Sequence, residues 1–309
     1  MSSARAELLA RLDAFRRALK LEQLSEKDPA EVEHNTVARL LRNGMCVIGF
    51  TMLEDFIKSR ASEVIVDIGQ GPIAFAQLPV GLRELATIDA IEGIRALAQR
   101  MTREKQDAVG FVQQHSGMIA SSLQPGFRLS PMGFGRDTSN LNATSVKELM
   151  RAFQIKDGWR QLNAVSSRVG IGAPSLEQSF TNAARSRHSA AHDPKANTTL
   201  GTLATIAQDA LAIAVALDLI LSRALAMLVS GDADYCRDDF ALVHTDVRIR
   251  FLDERVGGKW ASIPEGGSRA WRIATQYDQL LQASRTAAAA RGENLVSRNL
   301  RLQPFAWEA

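Results

Sequence analysis

Apolar residues recur at helical spacing through the first 230 positions and then switch to alternation. Over residues 4–24, Leu8, Leu9, Leu12, Phe15, Leu19 and Leu21 form a stripe with basic residues on the other faces, which predicts a first helix. Asp28-Pro29 then starts a longer helix, in which Val37, Leu40, Leu41, Val47, Phe50, Leu53, Phe56 and Ile57 keep the period. A kink is expected at Gly44 or Gly49. Residues 69–80, with GQGP and LPVG, read as turns, and a helix broken somewhere along its length is expected over about 81–119. Ser122–Asn140, with its prolines and glycines, reads as loop. A short helix follows, with Thr144 as its expected N-cap. Ser175-Leu-Glu-Gln178 has capping-box spacing directly after Pro174 and predicts a helix that Pro194 ends. Thr198–Val229 is the most apolar helix, closed by Ser230-Gly231.

The period then changes from 3.6 to 2. Val243, Val247, Ile249 and Phe251 alternate with polar residues, and Gly257-Gly258 reads as a hairpin turn. A helix over about 269–290 and one strand-like run, LVSRNLRLQPF, complete the pattern. The expected organisation is a mainly α chain, with a helical domain over 1–231 and a small α/β appendage of unassigned role over 235–309.

Composition adds limits. With 46% hydrophobic and 23% charged residues the chain has the makeup of an ordinary globular protein. Its 37 basic and 34 acidic residues leave a net charge of +3, which permits nucleic-acid binding without requiring it. Cys46 and Cys236 have no partner at metal-ligand spacing, so no disulfide framework, metal site or cofactor is expected. The first twenty residues lack the continuous apolar core of a signal peptide. The apolar run Ala210–Leu228 carries Asp218 and Arg223, which predicts a buried helix rather than a membrane span. A reducing cytoplasm is the expected setting, with no membrane partner.

The candidate chemistry lies in ARSRHSAAHDP, Ala184–Pro194. On a helix Arg185, His188 and His192 share one face, while Arg187 lies roughly 140° from His192. Arginine neutralises charge on phosphoryl oxygens, and histidine moves protons near neutral pH, so the pairing suits phosphodiester cleavage. RNA cleavage needs both a base on the 2′-OH and an acid on the leaving oxygen. Two copies meeting across a two-fold axis would supply both. The ordinary alternative is a helix end whose basic residues complement the helix dipole.

Arg187–His192, RHSAAH, resembles the Arg-(polar)-x-x-x-His motif of the HEPN superfamily of helical ribonucleases. Val37–Arg60 is similar to that superfamily's helix with a Leu-Glu-x-Phe segment, and Ser139–Ile155 to the Asn-x-Ser helix of its RiboL-PSP-like branch. The resemblance covers about residues 1–230. It implies a HEPN-like antiparallel helical bundle, and metal-independent RNA cleavage at a composite dimer site that leaves a 2′,3′-cyclic phosphate and a 5′-hydroxyl. It implies Arg187 and His192 as the catalytic pair, with His188 in support. The biological role expected is that of a toxin or a stress- or phage-defence effector, with an antitoxin or regulatory protein as a candidate partner. Asp193-Pro194 departs from the Gly or His-x-Tyr that many members carry after the histidine, which argues against control by modification of that tyrosine.

Other residues have weaker claims. Arg185, and Arg248 with Arg250 on one strand face, are candidate RNA contacts; an edge strand with solvating charges has the same pattern. Glu54 is expected to pair with a buried base rather than to act in catalysis. Asp193 either orients His192 or caps the turn, with the cap favoured. The Gly133-x-Gly135 segment lacks the strand, third glycine and Lys-Ser/Thr of a phosphate cradle. His34, His115 and His244 are isolated. Trp260, Trp271 and Trp307 are expected in a small core rather than stacked on bases. Two competing readings are a non-catalytic helical module that binds a partner protein or nucleotide, and a bundle serving as scaffold for a functional 235–309 lobe.

Overall fold

The computed structural model describes residues 2–124, 126–135, 140–237 and 239–309. The chain is mainly helical, with one small mixed sheet. Helix α1 (Ser3–Ala18) buries Leu8, Leu12 and Phe15. Helix α2 (Val32–Ile68) runs as one helix through both Gly44 and Gly49. Gly49 is there for packing: a Cβ at this position would lie 3.0 Å from Ile206 and 3.2 Å from Phe15.

The region expected as one broken helix over 81–119 divides into α3 (Val80–Glu84), a π-turn over Leu85–Asp89, α4 (Ala90–Arg103) and α5 (Ala108–Ala120). Helix α6 (Ala143–Ala152) starts earlier than expected: its cap is Asn142, which accepts from the Ser145 amide, and not Thr144. Then come α7 (Gly158–Val169), α8 (Leu176–His192) and α9 (Leu200–Val229).

Helix α9 is the axis of the fold. Every residue from Ala210 to Leu221 is buried, as a helix apolar on all sides requires. Among the described residues it is the one helix long and apolar enough to cross a membrane, but here the protein's own core covers it. Arg42 meets Thr198 just before α9 begins, and Arg60 meets Asp218 two-thirds of the way along it. The central pair α2 and α9 therefore runs parallel. Helix α1 lies antiparallel to α2, with Ser2 on Glu63 and Arg11 on Asp55, and α8 antiparallel to α9 across a short turn. Neighbouring helices in the bundle thus run antiparallel at α1–α2 and α8–α9, while long connections separate the two central helices and leave their direction unconstrained.

Asp218 is a fully buried carboxylate on this apolar helix. Arg60 Nε donates to one of its oxygens at 2.6 Å; Arg5 Nε and Trp307 Nε1 each donate to the other at 2.7 Å. Burial opposes its charge, but Arg60, Arg5 and the Trp307 bond outweigh that and hold the carboxyl below the usual carboxylate range.

The sheet has order β3-β2-β1-β4-β5, built from β1 (Arg248–Arg255), β2 (Lys259–Pro264), β3 (Arg272–Ala274), β4 (Glu293–Arg298) and β5 (Pro304–Glu308). The β1–β2 hairpin turns at Gly257-Gly258, both at positive φ. The expected helix over 269–290 is shorter, α10 (Tyr277–Ala289), since β3 occupies its first positions. The expected single final strand is a β4–β5 hairpin. Alternation along β1 sends Ile249 and Phe251 into the bundle's core and Leu252 toward α10. Val296 and Trp307 also join the main core, so packing is continuous across the boundary expected near residues 231–235.

Candidate functional site

Helix α8 carries the RHSAAH segment and is held along its buried side by aromatic contacts. Phe180 packs edge-on against Phe50 of α2, with ring centroids 5.2 Å apart, and against Trp159 of α7 at 5.7 Å. At its start Ser175 accepts from the Gln178 amide, but the Gln178 side chain donates to Asn182 instead of reaching back, so only half of the capping box forms.

The far end of α8 is fastened to α2. The Asp193 amide donates to the Ser189 carbonyl, and the Asp193 carboxylate accepts from the Lys195 amide at 2.8 Å. Asp193 thus caps the turn and makes no hydrogen bond to His192. Asn43 brackets the next residues, donating to the Ala196 carbonyl and accepting from the Thr198 amide. Buried Arg42 donates to the Thr198 and Leu24 carbonyls and to Asn197 and Glu26. Composition and period gave no hint of this staple: a base inside an apolar stripe looks like any surface charge until its carbonyl partners are known.

On this fastened end His188 and His192 are both exposed, their ring centroids 4.7 Å apart and inclined at 52°. Arg185 is exposed as well, one turn earlier. Arg187 lies apart from them: it is half-buried, and its Nε is buried without a hydrogen-bond partner. The Arg187 charge reaches Glu54 on α2, a buried carboxylate that accepts the Leu141 amide at 2.6 Å. Burial pushes the Glu54 carboxyl up, while the Leu141 bond and the nearby Lys58 and Arg187 charges pull it partly back. Within one chain the helix therefore groups Arg185, His188 and His192 on an open face and turns Arg187 toward α2.

The strand candidates do not join this group. Arg248 is exposed and donates to the Arg291 carbonyl, whereas Arg250 is 0% exposed, ion-paired with Glu293 at 2.6 Å and stacked 5.4 Å from the Trp271 ring. Arg250 is thus a structural residue, not a surface contact; it points to the α10 side of the sheet, where Ser262 and Glu293 engage it. Trp307 is buried, but Trp271 is 45% exposed, which corrects its expected place in a core.

Three clefts lie elsewhere. One of about 780 Å³ opens between the π-turn, the 3₁₀ turn Pro131–Gly133 and α6, with Glu84, Asp89, Glu92 and Glu148 among its lining residues. None of the residues singled out as catalytic or RNA-contacting lines it. Gly133 owes its place to a close approach, since a Cβ there would meet the Leu85 carbonyl oxygen at 2.2 Å; this accounts for the glycine without any phosphate. Among the described residues no group of three or more His, Cys, Asp or Glu side chains is gathered as a metal site.

Comparison of the chain with family models, with curated proteins and with solved structures finds no match to any of them.

Proposed function

We propose that the chain is a HEPN-type, metal-independent endoribonuclease whose site forms from Arg187 and His192 of two copies. The observation that carries this reading is the division of labour at the end of α8. Two histidines without a hydrogen-bond partner among the described residues face solvent on a stapled helix end, and on the α2 side of the same helix the Arg187 guanidinium keeps an unused donor. In the reaction, one His192 takes the proton of a ribose 2′-OH, whose oxygen attacks phosphorus. The P–O5′ bond breaks, the second His192 gives a proton to the departing oxygen, and a 2′,3′-cyclic phosphate and a 5′-hydroxyl result. The Arg187 side chains neutralise the phosphoryl oxygens, and His188 assists by contacting the same phosphate. Arg185 and Arg248 serve as RNA-phosphate contacts.

A second copy has a face to use. Val37, Leu40, Leu41 and Ile48 are exposed along α2, and Leu40 is 72% exposed. They occupy the stretch of α2 whose Arg42 and Asn43 hold the turn after His192. Pairing α2 with its copy would bury these residues and make a dimer. A cytoplasmic setting, a toxin or defence role and an antitoxin-like partner belong to the same proposal. The same stripe also fits the competing reading, a non-catalytic module that binds a partner protein.

Incubating the purified protein with total RNA, beside the Arg187→Ala and His192→Ala variants, tests the proposal. Cleavage is expected to fall about 10²–10⁴-fold in each variant, the usual contribution of a positioned proton-transfer or charge-stabilising group. Equal cleavage by all three proteins overturns the assignment. A strictly monomeric protein that still cleaves overturns the composite site.

A further inference from the structure

We infer that His188 and His192 form a chelating pair for a soft or borderline divalent cation, Zn²⁺, Ni²⁺ or Cu²⁺, and that such an ion blocks the open face of α8. The two residues stand four apart on one helix, the spacing that aims both side chains to one side. Their ring centroids are already 4.7 Å apart. Imidazole nitrogens bind zinc at about 2.0–2.1 Å, so turning the side-chain torsions brings one nitrogen of each ring onto a shared ion without moving the backbone. Both rings are exposed, and among the described residues neither is engaged in a hydrogen bond that the ion would have to break. The same i, i+4 pair supplies two of the zinc ligands in helical His-x-x-x-His metal sites.

Charge decides how firmly the ion is held. The site sits in the last turn of α8, where helix carbonyls favour a cation. Arg185, one turn earlier on the same face, opposes it, but its exposed side chain can swing into solvent. Arg187 leans toward Glu54 on α2 and away from the pair. Asp193 accepts the Lys195 amide with one carboxylate oxygen, which ties it to the turn beyond the helix. Two imidazoles are one ligand short of a catalytic zinc site, so the ion is exchangeable and keeps open positions for water or an anion. Mg²⁺ and Ca²⁺ prefer oxygen ligands and do not compete.

The binding site stands independently of the nuclease proposal. Its consequence rests on that proposal: an ion bound to the His192 imidazole removes the lone pair that proton transfer needs, so metal shuts off the cleavage.

Calorimetric titration of the intact protein with zinc chloride tests the site. One ion per chain is expected, together with a rise in melting temperature that grows with zinc concentration, since the unfolded chain lacks the paired geometry. His188→Ala and His192→Ala are both surface changes. Each is expected to weaken binding by more than about tenfold, at least what loss of a supporting group costs a metal site, and to abolish the melting shift. Absence of zinc binding by the parent protein, or binding by both variants as tight as the parent's, overturns the site. RNA cleavage measured with and without zinc then tests the consequence: zinc binding through the pair without loss of cleavage overturns the regulation and leaves the site. No cleavage under any condition, with the binding results as expected, counts against the nuclease and not against the chelating pair.

Discussion

Trp307 donates its indole N–H to Asp218 at 2.7 Å and so fastens the β5 strand to the middle of α9. The partner is a carboxylate with no exposure, so the bond is charge-assisted and dry. Replacing Trp307 by Phe keeps most of the ring and removes the donor. A loss of about 1.5–3 kcal/mol is expected, the usual worth of a hydrogen bond to a charged group. Urea unfolding should show a lower midpoint with an unchanged slope; an unchanged midpoint would mean that the bond contributes nothing.

The same carboxylate gives the fold an acid limit. Its folded-state titration lies below the unfolded value, so the unfolded chain takes up the proton first as pH falls. The stability from Asp218 is therefore complete above the unfolded carboxylate range and disappears as pH drops through the depressed folded value. Asp218→Asn should be less stable at neutral pH by about 3–5 kcal/mol, because Arg5 and Arg60 lose their counter-charge in a dry site. Its stability should also fall less steeply with acid. Parallel acid-unfolding curves for parent and variant would refute this.

Glu54 carries the opposite sign. Burial raises its titration above the unfolded value, so the folded protein binds the proton more readily, and stability from this group declines as pH rises between the two values. Glu54→Gln keeps an oxygen to accept the Leu141 amide and removes the buried charge. The variant should melt higher than the parent at neutral pH, with the two converging in acid. A lower melting temperature for the variant at pH 7 would contradict the argument.

Arg42 is expected to matter at a distance. Arg42→Ala strips donors from the Thr198 and Leu24 carbonyls, at about 1–3 kcal/mol for each buried acceptor left bare. Amide exchange over residues 193–199 should speed up, and RNA cleavage should fall with it. Unchanged exchange there would show that Asn43 holds the turn without help.

The α2 stripe makes a separate prediction. Leu40→Glu places a charge at a position already 72% exposed, so the monomer's stability should change by no more than about 0.5 kcal/mol. Sedimentation should nonetheless show loss of self-association, and cleavage should drop as dimer is lost. Retention of the dimer would place the second copy on another face.

Local signals carried the helices, the hairpin and the histidine face. The 3.6-residue stripe in α2, the Ser175 cap, the Pro194 stop and the Gly257-Gly258 turn each act over a few neighbours, so each can be read from the chain itself. The direction of α9 beside α2 depends on which distant side chains find one another, such as Arg60 and Asp218, and no short-range pattern encodes that. Arg250 shows the same limit: alternation put it on one face of β1, but only its partners Glu293 and Trp271 decide that this face is closed. At the candidate site, spacing placed His188 and His192 together, whereas the half-burial of Arg187 depends on how α8 packs against α2, a helix more than a hundred positions away.

The Asp218 cluster also sets the order in which the protein can be completed. Arg5, Arg60, Asp218 and Trp307, which meet in it with Ser222, span nearly the whole chain, and Arg5 also bonds the Trp307 carbonyl across a separation of 302 residues. During synthesis the long apolar helix emerges with its buried charge only partly matched, and the match is complete only when Trp307 has left the ribosome. Closing so large a loop is slow compared with forming the helices themselves. The β5 strand therefore supplies the final match to the Asp218 charge, and a chain stopped short of Trp307 is expected to be cut faster by proteases than the parent.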